Sequence, residues 1–118
     1  MKLFKDFTFE AAHMLPLVPN NHKCFQLHGH SFKARVYIQG PVTEMGWVMD
    51  FADLKKICQP FIDQLDHSYL NDISGLENPT SENIALWLWS RLKPQLQLIC
   101  SIEIMETCNA GCRYNGKN

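Results

Sequence analysis

The sequence predicts an α+β fold, an antiparallel sheet of four strands with two helices packed on one face, and three observations predict it. Segments near both ends of the chain alternate apolar and polar residues with period two, the pattern of half-buried strands. The segments between them repeat apolar residues at helical spacing. The order, strands then helices then strands, lacks the regular strand–helix alternation of a parallel sheet. Such a sheet keeps two open edges, which invite assembly edge to edge.

The first expected strand covers residues 3–12, where Phe7, Phe9, Ala11 and His13 share one parity. Phe4 breaks that parity, which asks for a bulge or a strand with two apolar faces. Pro16, Pro19, Asn20 and Asn21 make 15–25 a loop. Residues 27–39 alternate most clearly: His28, His30, Phe32, Ala34, Val36 and Ile38 lie on one face, with Ser31, Lys33, Arg35 and Gln39 opposite. Gly40, Pro41 and Gly46 then turn the chain into a short strand at 47–50.

Phe51, Leu54, Ile57, Cys58, Phe61, Ile62 and Leu65 recur at helical spacing, and Pro60 is expected to kink that helix. A loop at 66–79 precedes a second helix over 81–93, with Thr80 as N-cap, Glu82 favourable in the first turn and Pro94 as stop. Its buried stripe should be Ile84, Ala85, Leu88 and Leu92. The last long strand, 98–107, places Leu98, Cys100, Ile102, Ile104 and Glu106 on one face, and a turn at 109–111 leads to a short final segment around Tyr114.

Size and composition narrow the function. With 118 residues, 46% of them hydrophobic, the chain can bury a real core as one domain, 1–118, but has no room for a second catalytic domain. An elaborate site would therefore borrow residues from another copy of the chain. A net charge of −1, without a long basic run, makes nucleic acid and anionic membrane poor partners. No secretory h-region or bilayer-length apolar run is evident, so a cytoplasmic location is expected. The five cysteines are odd in number, which argues against a disulfide framework.

Chemistry concentrates at few positions. His28 and His30, two apart on a strand, point the same way with Cα atoms roughly 6.8 Å apart, so both rings can meet one metal ion. Alone, this short pattern is equally consistent with two ordinary strand histidines. Carried on an apolar face, however, each ring needs a polar partner, and a metal satisfies both. His13 could supply a third nitrogen if the two strands are neighbours, and three histidines leave the open fourth position that catalytic zinc requires.

Cys24 lies four residues before His28, where a nearby cation or imidazole would favour its thiolate. Asp66 and His67 form a candidate proton relay, although adjacent Asp and His are commonly plain loop residues. Glu106 continues an apolar strand face, where a carboxylate needs strong donors such as the 2-amino and N3–H edge of a pterin or guanine. Lys23 is a candidate for a phosphate. Cys58 and Cys100 read as buried small hydrophobes and Cys108 with Cys112 as structural.

Six stretches together resemble the 6-pyruvoyl tetrahydropterin synthase superfamily: Phe9-Glu10-Ala11-Ala12-His13; Cys24 through His28-Gly29-His30-Ser31-Phe32; Met49-Asp50-Phe51 through Leu54-Lys55; Leu65-Asp66-His67 with Leu70-Asn71; Pro79-Thr80-Ser81-Glu82-Asn83; and Glu106-Thr107. They run collinearly through nearly the whole chain. The three-residue gap between Cys24 and His28, and Ser31-Phe32 after the second histidine, look like the queuosine branch rather than the biopterin branch. The resemblance implies the tunnelling fold (T-fold), in which subunits join sheet edges into a barrel and form trimers or hexamers.

It also implies that His13, His28 and His30 bind Zn²⁺ and that Cys24, Asp66 and His67 form a proton-transfer triad, partly contributed across a subunit interface. Glu106 would anchor the pterin, with Thr80, Ser81 and Glu82 assisting. The implied reaction is that of a carbon–carbon lyase: 7,8-dihydroneopterin triphosphate becomes 6-carboxy-5,6,7,8-tetrahydropterin with loss of acetaldehyde and triphosphate. Two alternatives stay open, formation of the pyruvoyl product on the same relay and a non-catalytic module whose zinc only stabilises the fold.

Overall fold

A computed structural model describes residues 1–117 of the chain. Its elements are β1 (Lys2–His13), β2 (His28–Gln39), α1 (Phe51–Leu65), β3 (Ser68–Tyr69), α2 (Ser81–Leu92), β4 (Ile99–Thr107) and β5 (Ala110–Tyr114). The strands form one sheet in the order β3-β1-β2-β4-β5. β1, β2, β4 and β5 pair antiparallel, and β3 runs parallel to β1 through Ala11–Ser68 and Ala12–Tyr69. The sheet is therefore five-stranded and mixed rather than four-stranded and antiparallel. Two residues are too few to show a period, which is why the expected loop at 66–79 conceals β3 and the 3₁₀ turn Leu70–Asp72.

α1 packs on β1, and α2 on β4 and β5. Under them Phe7, Phe9, Ala11, Phe32, Ala34, Val36, Ile38, Ile102 and Ile104 make a continuous buried face. Phe9 and Phe32, cross-strand partners, stack with centroids 4.9 Å apart. β1 and β2 keep register from end to end, so Phe4 sits on the opposite face without a bulge. There Arg35 lies 4.1 Å from the Phe4 ring and donates to both Asp6 carboxylate oxygens, at 2.7 and 3.0 Å. β1 is thus two-sided, one of the two alternatives its pattern allowed.

Asp50 caps α1, accepting from Ala52 N–H at 2.9 Å, and the helix runs through Pro60 without interruption. Leu54, Cys58, Ile62 and Leu65 form its buried stripe, whereas Phe51 is half exposed. Burial pushes the Cys58 thiol up to about 12, so it behaves as a small hydrophobe. Thr80 caps α2, accepting from Asn83 N–H at 3.1 Å, and Ile84, Ala85, Leu88 and Leu92 are fully buried as expected. The expected strand at 47–50 does not form: the Trp47 carbonyl accepts from Thr43 N–H at 2.9 Å and the Thr43 hydroxyl at 2.6 Å, folding the segment onto itself around Gly46 (φ 89°).

Two register shifts bend β4. Between the pairs Ile38–Ile99 and Tyr37–Ser101 one extra residue, Cys100, is inserted. Ile99, rather than Leu98 and Cys100, consequently faces the core, and Leu98 is 39% exposed. Between Met105–Gly111 and Thr107–Ala110 the extra residue is Glu106. The second bulge leaves no space at Gly111, where a Cβ would lie 2.5 Å from the Ile104 carbonyl oxygen and 2.8 Å from Met105 Cγ. Gly111→Ala should therefore destabilise the chain by about 1–3 kcal/mol, read as an earlier urea midpoint; a midpoint equal to the parent's would show that the bulge is not so confined.

Candidate metal and catalytic site

The last rung of the β1–β2 ladder pairs His13 with His28, and the period of two adds His30 to the same face. One ring nitrogen from each of the three lies within 4.8 Å of the others. Ring centroids are 4.4 Å apart for His13 and His28, 5.2 Å for His13 and His30, and 4.9 Å for His28 and His30. His13 is fully buried, and the other two are partly so. The sequence-predicted cluster is thus brought together.

Backbone carbonyls orient two of the rings. His13 Nδ1 lies 2.8 Å from the Pro79 carbonyl oxygen, and His28 Nδ1 lies 2.7 Å from that of Gln26. A carbonyl can only accept, so each Nδ1 carries a proton, and in the neutral form of either ring the lone pair is on Nε2. His13 Nε2 is buried and has no hydrogen-bond partner among the described residues. Burial, reinforced by the neighbouring His28 and His30, holds the His13 ring below the usual histidine range and hence neutral, although the Pro79 carbonyl and Glu106 act in the opposite direction. A neutral, oriented imidazole with an orphaned lone pair is a metal ligand in waiting. The three histidines therefore fit a divalent cation.

Cys24 sits in the 3₁₀ turn Lys23–Phe25, where its N–H donates to His22 Nδ1 at 3.0 Å and its carbonyl accepts from Leu15 N–H at 2.8 Å. With Lys23, His28, His30, Glu106 and Thr107 it lines a cleft of about 340 Å³, within the roughly 300–1,000 Å³ usual for small-molecule sites. A second cleft adjoins it through Glu106 and is lined by Leu15, Thr80, Ser81, Glu82 and Cys112. Glu106, the bulged residue of β4, therefore links the histidine cluster to the N-terminus of α2. Among the described residues its carboxylate has no hydrogen-bonding donor.

Asp66 and His67 lie elsewhere. They pair at 2.9 Å between His67 Nδ1 and Asp66 Oδ2, and Asp66 Oδ1 accepts from Glu10 N–H at 2.8 Å. That backbone bond, followed by the His67 ring, holds the Asp66 carboxyl below its usual range. His67 has a left-handed backbone (φ 54°), strained for a residue with a Cβ, and an 80% exposed side chain. It borders a groove with Glu10, His30, Ser31 and Tyr69; the Cys24 cleft is lined by neither Asp66 nor His67, but His30 forms a wall of both. Within one chain Asp66 and His67 do not share a cleft with Cys24.

Sequence reading missed the two orienting carbonyls, which no side-chain pattern encodes. It gives no role to His22, which caps the Cys24 turn, and it reads Cys112 as structural, whereas Cys112 forms a wall of the Glu106 cleft. Asn71, in the Leu65–Asn71 stretch of the resemblance, binds the backbone of Met14, next to His13.

Comparison with known proteins agrees with this architecture. The chain is 45% identical over 119 residues to the 6-carboxy-5,6,7,8-tetrahydropterin synthase of Synechocystis, covering 95% of this chain and 91% of that protein. It is 40% identical over 89 residues to the dihydroneopterin monophosphate aldolase of Pyrococcus furiosus, covering 75% and 72%. The solved structure of Caenorhabditis elegans 6-pyruvoyl tetrahydropterin synthase superposes with a TM-score of 0.91 at 28% identity, covering 99% of this chain and 96% of that one. With residues 2–117 matching that family from end to end, the chain belongs to the 6-pyruvoyl tetrahydropterin synthase family.

Proposed function

We propose that the chain is a zinc-dependent 6-carboxy-5,6,7,8-tetrahydropterin synthase, acting on 7,8-dihydroneopterin triphosphate in queuosine (7-deazaguanine) biosynthesis. Its family and its Synechocystis relative support a pterin-metabolising lyase. The observation that carries the finer reading is the shared cleft: two of the three clustered imidazoles, a thiol and an unpaired carboxylate face one small space. The same reading makes the protein a cytoplasmic homo-oligomer, trimer or hexamer, with sites at subunit interfaces.

His13, His28 and His30 would hold the ion, and three imidazole donors with an open fourth position suit Zn²⁺. Bound there, zinc supplies a Lewis acid that polarises the oxygens of the substrate side chain and acidifies the neighbouring C–H bonds. Glu106 accepts from the pterin 2-amino and N3–H groups, which explains a carboxylate left without internal donors. Thr80, Ser81 and Glu82 border the ring at the α2 N-terminus, and Lys23 faces the phosphates. Cys24 exchanges protons with the side-chain carbons, and His67, oriented by Asp66, relays them.

Ring reduction is balanced by oxidation of the side chain, and one water supplies the second carboxyl oxygen, so no nicotinamide is required. An exposed His67 that does not line the Cys24 cleft of its own chain acquires a role if it reaches the cleft of a neighbouring copy.

Incubation of the zinc-loaded protein with 7,8-dihydroneopterin triphosphate should release acetaldehyde and triphosphate and leave the 6-carboxy product. A 6-pyruvoyl product without acetaldehyde, or preferential cleavage of the monophosphate, would refute this assignment. Cys24→Ala and His67→Ala proteins should each be inactive. Co-expressed, they should recover activity at about a quarter of the sites, the share that random pairing across interfaces gives both intact residues. Absence of any recovery would place the whole relay within one chain.

A further inference from the structure

β1 delivers His13 as its final residue, and beyond the His13–His28 rung the ladder offers Met14 no strand partner. A peptide at such an end frays unless its N–H and C=O are otherwise satisfied. Asn71 satisfies both. Its carboxamide oxygen accepts from Met14 N–H at 3.0 Å, and its amide nitrogen donates to the Met14 carbonyl at 2.8 Å. A carboxamide has the same donor and acceptor as a peptide group, so this side chain stands in for the next rung of the ladder.

The same amide nitrogen donates to the Glu77 carbonyl at 3.3 Å, tying together the segment that ends at Pro79. Pro79 in turn accepts from the His13 ring. His13 is therefore held at its ring by Pro79 and at the following peptide by Asn71, both from one loop.

We infer that Asn71 is a positioning residue for the metal-binding imidazole of His13, setting the affinity of the site by fixing the end of β1 without touching the ion. This rests on the reading that the three histidines hold a metal. An interaction behind a ligand that fixes its direction changes metal affinity typically 10- to 100-fold when removed. A residue that merely stabilised the loop would lower resistance to urea and leave the ion's surroundings unaltered.

The test uses the full chain, with Zn²⁺ affinity measured against a competing chelator and the geometry of the site read from the visible absorption of the Co²⁺-substituted protein. Asn71→Ala should bind Zn²⁺ about 10- to 100-fold more weakly, with displaced Co²⁺ bands. Asn71→Asp keeps the acceptor for Met14 N–H but loses the donors, and should recover part of the loss. Asp72→Asn, an exposed change in the same turn, should match the parent. Parental Zn²⁺ affinity and Co²⁺ bands in the Asn71 variants would overturn the inference, whatever happens to urea resistance. If Asn71→Ala does not fold, the Asp variant decides by the same two readings. A parent that takes up no Zn²⁺ would overturn the metal assignment itself, a result separate from tight parental binding that the variants share.

Discussion

Three imidazoles must converge at one end of two adjacent strands, and most of the local structure follows from that requirement. The antiparallel rung His13–His28 brings two chain-distant histidines side by side, and the strand period adds His30. The arrangement is costly on its own: a buried ring nitrogen without a partner, such as His13 Nε2, costs about 1–3 kcal/mol. A cation shared by three lone pairs offsets that cost. The carbonyls of Pro79 and Gln26 complete the design by consuming the opposite nitrogens, so the lone pairs are left on the side where they are needed.

The residues proposed to react come from irregular backbone. Cys24 depends on a 3₁₀ turn capped by His22, Glu106 on a bulge made possible by Gly111, and His67 on a left-handed residue following α1. Regular strands and helices supply stiffness, and their interruptions aim the chemistry. Asp66 and His67 open on a different groove from Cys24, with His30 on the wall of both, which is the arrangement the proposed sharing of a site between copies requires.

Much of this was legible in the residues. The alternation of β2, the Thr80 cap and the buried stripe of α2 are local patterns, and local patterns determined those elements. The His13, His28, His30 grouping was legible because parity on a strand is a geometric statement. What escaped was non-local or carried by the main chain. β3 is two residues long and exists because Ala11 and Ala12 offer a free edge. The Cys100 bulge reverses the parity read for Leu98 and Cys100. The segment at 47–50 has strand-like composition, yet a turn around Gly46 satisfies its backbone first. Carbonyl partners such as Pro79 leave no side-chain signature at all.

The account stands on the ion, and diffraction from zinc-loaded crystals at the zinc absorption edge tests it most directly. It predicts one anomalous peak at roughly 2.0–2.1 Å from a nitrogen of each of His13, His28 and His30. A peak touching fewer than two of these rings, or one lying instead beside Cys108 and Cys112, would contradict it.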